Sequence, residues 1–148
     1  MSVHCEPETC QLLLRLDLFR GLEAAELVRL LTEAELIECR AGKYPIREGE
    51  QDIHLFIILA GKAAIYKRSL GVNKLIKELG PGECFGEMSL IECRSRSASV
   101  RAITHCRLLR LDGAQITKLP DIASKLFRNI ARLLSQRLRH ANDLLTLG

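Results

Sequence analysis

Between about residues 36 and 112 the apolar residues come in short runs, cut by turn-forming residues every eight to twelve positions. That rhythm is too short for helices and calls for many brief strands folding back on one another. The predicted strands are residues 53–59, 63–66, 75–79, 98–103 and 107–111. Glu48-Gly49-Glu50-Gln51-Asp52, Ala60-Gly61-Lys62, Gly71-Val72-Asn73 and the Leu-Gly-Pro-Gly of 79–82 are the expected corners. Many short strands with glycine-rich corners predict a sandwich or a barrel, a mainly β fold.

Helices flank this region. Over residues 9–34, Leu12, Leu13 and Leu16 precede a break at Gly21, and Leu27, Leu30, Leu31 and Ala34 then recur at helical spacing. Residues 114–146 return to helical character, with a break at Pro120 and a new start favoured by Asp121. There Phe127, Ala131, Leu134, Leu138, Ala141 and Leu145 recur at spacings of four and three, the seam two helices need for knobs-into-holes packing. A second stripe, Leu126, Ile130 and Leu133, lies beside it and is placed to face the strands. Such a helix suits packing inward and against a partner subunit, the simpler alternative being a plain buried helix.

The 148 residues are enough for one domain with a real hydrophobic core. No apolar run approaches the roughly 18 residues of a membrane span. The N-terminus has two glutamates and no basic or apolar stretch of the secretory type, so cytosol is the expected compartment. In that compartment Cys5, Cys10, Cys39, Cys84, Cys93 and Cys106, with no Cys-x-x-Cys pair among them, are expected to be reduced thiols. Cys84 and Cys93 flank the candidate site described below, so their oxidation could obstruct ligand entry. The charge is uneven. Residues 1–113 hold sixteen basic and sixteen acidic residues, whereas 114–148 hold six basic and two acidic ones, the whole excess of +4. A cationic helix can mark nucleic acid, but a solvated helix face is the preferred reading.

Chemistry concentrates in residues 79–100, LGPGECFGEMSLIECRSRSASV. Pro81 fixes one backbone angle and Gly80 and Gly82 permit positive φ, which reads as a tight turn. Gly86 lets the backbone approach a ligand, and Glu87 to Leu90 can form a helical turn whose free N–H groups face an anion. Arg96 supplies a cationic fork matched to phosphate oxygens, with the Ser97 hydroxyl beside it. A carboxylate at Glu87 suits a sugar hydroxyl rather than a phosphate. Ala98 keeps space clear.

This segment, Phe85-Gly86-Glu87-Met88-Ser89-Leu90 followed by Ser95-Arg96-Ser97-Ala98-Ser99-Val100, resembles the phosphate-binding cassette of the cyclic nucleotide-binding domain family. Gly42, Ile46, Glu48-Gly49-Glu50, Asp52 and Gly61 fit the family's strand-and-turn pattern, and the resemblance runs from about residue 18 to about residue 145. The separation of Glu87 and Arg96 is similar to that of kinase regulatory subunits, while Arg96 to Ala102 looks more like the bacterial catabolite activator. Ser95 stands where proline is usual and Ser89 where alanine is common; neither removes a ligand group, but the missing proline leaves the arginine's loop less rigid.

The resemblance implies an eight-stranded β-roll (a jelly-roll-like double-stranded β-helix) over residues 36–112, within a single domain of 1–148. It implies a sensor for a 3′,5′-cyclic nucleotide, cAMP first and cGMP as the alternative. Phe85, Gly86, Glu87, Met88, Ser89, Arg96, Ser97 and Ala98 would form its site. It further implies a homodimer through the C-terminal helix, the usual seam in bacterial members. Glu87 would fix the ribose, or pair with Arg96 in an empty site. Asn129, Arg128, Arg132 and Ser135 are candidates for the base contact.

Nothing in the residues argues for catalysis or a metal. His4, His54, His105 and His140 are isolated, and no paired-carboxylate, Gly-x-Ser-x-Gly or Walker-type stretch occurs. Family regulators carry a DNA-binding unit after the long helix, about where this sequence ends, so direct DNA binding by these residues is not expected. A ligand-sensing fragment of a regulator or channel, or an interaction module with an empty pocket, are the alternatives.

Overall fold

The β2 strand, His54–Ala60, shows how the core is built. Its Leu-Phe-Ile-Ile run has no polar alternation, as expected of a strand buried on both faces. Leu55 and Ile57 point into one apolar cluster and Phe56 and Ile58 into another. The structure, a computed structural model, describes residues 7–147, so His4 and Cys5 lie outside the described residues.

Among the described residues seven strands form two antiparallel sheets. They are β1 (Glu35–Cys39), β2, β3 (Ala63–Ser69), β4 (Val72–Leu79), β5 (Cys84–Phe85), β6 (Ser99–Ala102) and β7 (Cys106–Asp112). One sheet runs β1-β7-β2-β5 and the other β4-β3-β6. Between them lies the roll's interior, where Phe56 and Phe85 stack with ring centroids 5.0 Å apart. The eighth strand is reduced to one bridge, Ile46 to Val100. Gly42 and Lys43 also exchange backbone hydrogen bonds with Ala102, but Pro45 has no N–H to continue a ladder.

Helices cover the outer face of the β1-β7-β2-β5 sheet. These are α1 (Pro7–Leu14), α2 (Ala24–Leu31), α3 (Glu87–Glu92), α4 (Gly113–Thr117) and α5 (Pro120–Leu147), with a 3₁₀ turn at Asp17–Phe19. Glu23 and Glu26 form a reciprocal capping box on α2, and the Asp112 carboxylate caps α4 by accepting from the Ala114 N–H at 2.9 Å. The break at Gly21 and the start of α5 at Pro120 fall where the sequence places them. In α5 the inward stripe holds: Leu126 and Ile130 are fully buried and Leu133 packs against the same cluster. From Leu138 onward the other seam is exposed. Among the described residues no helix is long and apolar enough to cross a membrane.

Two expectations change. Cys10 is disulfide-bonded, so the cysteines are not all reduced thiols, whereas Cys39, Cys84, Cys93 and Cys106 are free. The corner expected at Gly71-Val72-Asn73 lies one residue earlier: Ser69 pairs with Val72, leaving Leu70 and Gly71 as a two-residue loop. Both have positive φ, +52° and +79°, the signature of a type I′ turn. A leucine there is strained and 99% exposed, and no turn rule would have chosen it. Leu70→Asn is therefore expected to raise stability by about 0.5–1 kcal/mol, read as a higher urea midpoint at unchanged slope.

Candidate functional site

Arg96 follows the loop after α3, and its backbone is pinned from both sides. Its N–H donates to the Glu50 carbonyl at 2.8 Å, and its carbonyl accepts from the Gly49 N–H at 2.9 Å. These two bonds hold the loop without the proline usual before the arginine. The side chain then turns inward and is only 2% exposed. Its Nη1 donates to the Gly86 carbonyl at 3.1 Å and its Nη2 to the His54 carbonyl at 2.8 Å. The Asp52 carboxylate lies 3.2 Å from Nη2. The Nε–H is buried and has no acceptor among the described residues. A buried donor left in that state costs about 1–3 kcal/mol, and more when charged.

Gly86 is fixed by two constraints. Its φ is +88°, and a Cβ there would come within 2.7 Å of the His54 carbonyl oxygen and 2.9 Å of Arg96 Nη1. Only a glycine lets the chain leave β5, accept from Arg96 and enter α3 in one step. The first turn of α3 has no side-chain cap. Glu87 opens that helix and is buried, and its carboxylate pairs with the Arg137 guanidinium from α5.

The alternative offered for Glu87, a pairing with Arg96, is replaced by two separate ion pairs, Glu87 with Arg137 and Arg96 with Asp52. Asp52 is held by more than Arg96. Its carboxylate accepts from the His54 backbone N–H at 3.2 Å and contacts the His54 imidazole. Burial pushes the Asp52 carboxyl up, but the His54 contacts and the Arg96 guanidinium outweigh it and hold it below its ordinary value.

All eight residues expected at the site line one cavity of about 280 Å³, at the lower edge of the roughly 300–1,000 Å³ usual for small-molecule sites. Lys67 and Arg137 line it as well, and Lys67 donates to the Ser97 carbonyl at 2.7 Å. Three cations, one buried carboxylate and the Ser89 and Ser97 hydroxyl groups, set in a wall otherwise mostly apolar, suit a ligand with an anionic end and a hydroxyl end. None of Asn129, Arg128, Arg132 and Ser135 lines it. Asn129 instead donates to the Leu18 and Arg20 carbonyls at 2.7 and 2.9 Å, tying α5 to the 3₁₀ turn. Cys84 lies outside the cavity, and burial, with Glu87 adding to it, pushes its thiol up to about 12.

Sequence reasoning missed Arg137, Lys67 and the Asp52–His54 pair. For Arg137 a signal existed: it continues the inward stripe of Leu126, Ile130 and Leu133 by one more step of four. A charge at an inward helical position needs a buried partner. Lys67 and His54 carried no comparable mark.

A β-roll with a buried arginine at one cavity wall and a buried glutamate beside it defines a ligand-binding domain. The family model described as "Cyclic nucleotide-binding domain" matches residues 36–121, and the chain belongs to that family. It is 30% identical over 138 residues to the "CRP-like cAMP-activated global transcriptional regulator" of Mycobacterium tuberculosis, covering 90% of this chain and 60% of that protein. The crystal structure of Thermus thermophilus Catabolite Activator Protein superposes with a TM-score of 0.79 at 33% identity, covering 88% of this chain and 62% of that one. A cyclic nucleotide-binding domain from Methylobacillus flagellatus gives 0.81 at 23% identity over 93% of this chain and 80% of that one, a likeness of fold. The chain spans about three fifths of the length of the first two relatives.

A pH dependence follows from Asp52. A carboxyl held below its ordinary value contributes stability above its unfolded pKa, near 4, and loses it as pH falls through the lower folded value. Asp52→Asn is expected to be less stable than the parent at pH 7, the gap narrowing below about pH 4, as read from urea midpoints at the two pH values.

Proposed function

We propose that this domain is a non-catalytic sensor that binds a 3′,5′-cyclic nucleotide, cAMP first, and passes the signal to α5. The observation that carries the reading is the Arg96 Nε–H, a buried cationic donor without an acceptor on a residue that lines the cavity. A cyclic phosphate oxygen would satisfy it, and a phosphodiester monoanion would neutralise the guanidinium without adding a second charge to bury. Gly86, Met88, Ser89, Ser97 and Ala98 would shape the phosphate end, with Phe85 packed behind it. Glu87 would accept from the ribose 2′-hydroxyl. The names of the relatives, both cAMP-responsive or catabolite regulators, support cAMP over cGMP as the first ligand to try.

The Glu87–Arg137 ion pair supports the link to α5. A sugar hydroxyl that engages Glu87 must share the carboxylate with Arg137 or displace it. Either event changes what the ligand gains from one position of α5 over another, which is the condition for a ligand to shift a conformational equilibrium. The exposed seam of Leu138, Ala141 and Leu145 supports pairing with a second α5 in a homodimer. A second reading, that the domain senses ligand for a longer DNA-binding regulator, rests on the similarity to transcriptional regulators.

Calorimetric titration checks the assignment. The parent is expected to bind cAMP one to one per chain, with 5′-AMP much weaker because its dianion buries a second charge. Arg96→Leu should keep a cooperative melt but lose at least about 100-fold in affinity, the scale of removing a charge-assisted contact of roughly 3 kcal/mol. Undiminished binding in that variant would overturn the site assignment.

A further inference from the structure

The roll carries a second chemically active pair that the nucleotide reading leaves unused. Cys39 closes β1 and Cys106 opens β7, and the two strands are antiparallel partners in which Cys39 stands directly opposite Cys106. Directly opposed residues project from the same face of a sheet, and both side chains belong to the apolar cluster inside the roll. Cys39 is 7% exposed and Cys106 1%, and both are free thiols.

From this register we infer that Cys39 and Cys106 form a dithiol site that closes reversibly into a cross-strand disulfide, with a small-molecule disulfide such as oxidised glutathione as its oxidant.

The backbone already meets the geometric demand. Directly opposed residues of an antiparallel pair have Cα atoms about 4.5 or 5.5 Å apart, and disulfides span about 4.4–6.8 Å. Closure therefore needs side-chain rotation and a small approach of the Cβ atoms rather than a new strand register. Among the described residues no other free cysteine has such a partner: Cys84 stands opposite Ile57, and Cys93 is exposed at the end of α3. In the reduced state the Cys106 thiol donates to the Lys62 carbonyl at 3.2 Å, which the disulfide would forgo.

Access is the second requirement, and the topology supplies it. β1 is an edge strand, paired on one side only, and Cys39 is its last residue. Fraying of that last pair exposes both sulfurs without opening the sheet. Burial pushes both thiols up, so the closed pair reacts slowly and exchange runs through the frayed form. The chemistry balances in two exchanges. The Cys39 thiolate attacks one sulfur of glutathione disulfide, forming a mixed disulfide and expelling glutathione thiolate. The Cys106 thiolate then attacks the Cys39 sulfur and expels the second glutathione. The protein loses two protons and two electrons, and glutathione disulfide gains both as two glutathione thiols.

The site lies away from the nucleotide cavity, whose lining includes neither cysteine, so it stands whether or not the domain binds cAMP. The test uses the full chain carrying Cys93→Ser, equilibrated in glutathione redox buffers, acid-quenched, alkylated under denaturing conditions and mapped by peptide mass. The expected product is a linked Cys39–Cys106 peptide lacking two hydrogens, reversed by reduced glutathione, with a higher melting temperature in the linked form. Cys39→Ser should abolish the linked peptide and the thermal shift. Cys106→Ala does the same test from the other side, and the parent's own mapping stands if either variant misfolds. Recovery of both cysteines as alkylated thiols at the most oxidising ratio, an unresolved glutathione adduct on either one, or a linkage to any other cysteine would overturn the inference.

Discussion

Burying the Arg96 guanidinium is the constraint that the rest of the site answers to. An isolated charge inside a protein is costly, and removing one partner of a buried pair costs more than never forming it. The fold meets that cost with two backbone carbonyls, from Gly86 and His54, and with the Asp52 carboxylate. Each of these acceptors dictates something further. The Gly86 carbonyl is in reach only because a positive φ and an absent side chain turn the chain at the end of β5. The His54 carbonyl belongs to the first residue of the strand buried on both faces, which ties the arginine to the most rigid part of the core. Even so, the Nε–H finds no acceptor among the described residues, and this is the position at which an anionic oxygen would complete the site.

The second ion pair ties the cavity wall to α5. Glu87 and Arg137 join the cavity wall to a 28-residue helix whose inner stripe is buried and whose far end is exposed. Near its start the helix is anchored by Arg29 to Asp121 and by Lys125 to Glu26, and further along by the Asn129 amide on the 3₁₀ turn. Beyond Leu133 the Arg137 guanidinium is a principal tie to the roll among the described residues. A ligand that competes for Glu87 would therefore act on the part of α5 with the fewest other bonds.

Much of this was legible in the chain, and the physical reasons are particular. The cassette was readable because Gly86, Glu87 and Arg96 carry restrictive chemistry at fixed spacing, and all eight residues named from it line one cavity. The helical flanks and most strands followed from apolar periodicity. What escaped was set by tertiary contact. The short β5, two residues long, gives no periodic signal, and the eighth strand of the roll shrank to a bridge because Pro45 cannot donate. The β3–β4 hairpin closes on Leu70, a residue no turn rule selects. Asn129 looked available for a ligand but is held by backbone carbonyls over a hundred positions away in sequence. For Glu87 the sequence offered only Arg96 as a partner, because nothing local marks an α5 residue some fifty positions away, and only the stripe ending in Arg137 pointed there.

If cAMP binds as proposed, its phosphate oxygen becomes the acceptor of the Arg96 Nε–H. Nitrogen-15 NMR of the arginine Nε–H groups during titration with cAMP observes that donor itself. One arginine resonance, absent from Arg96→Lys, is expected to move saturably and gain protection from solvent exchange as cAMP binds, with no comparable change on adding 5′-AMP. An Arg96 Nε–H signal that stays in place while cAMP saturates the protein would contradict that contact.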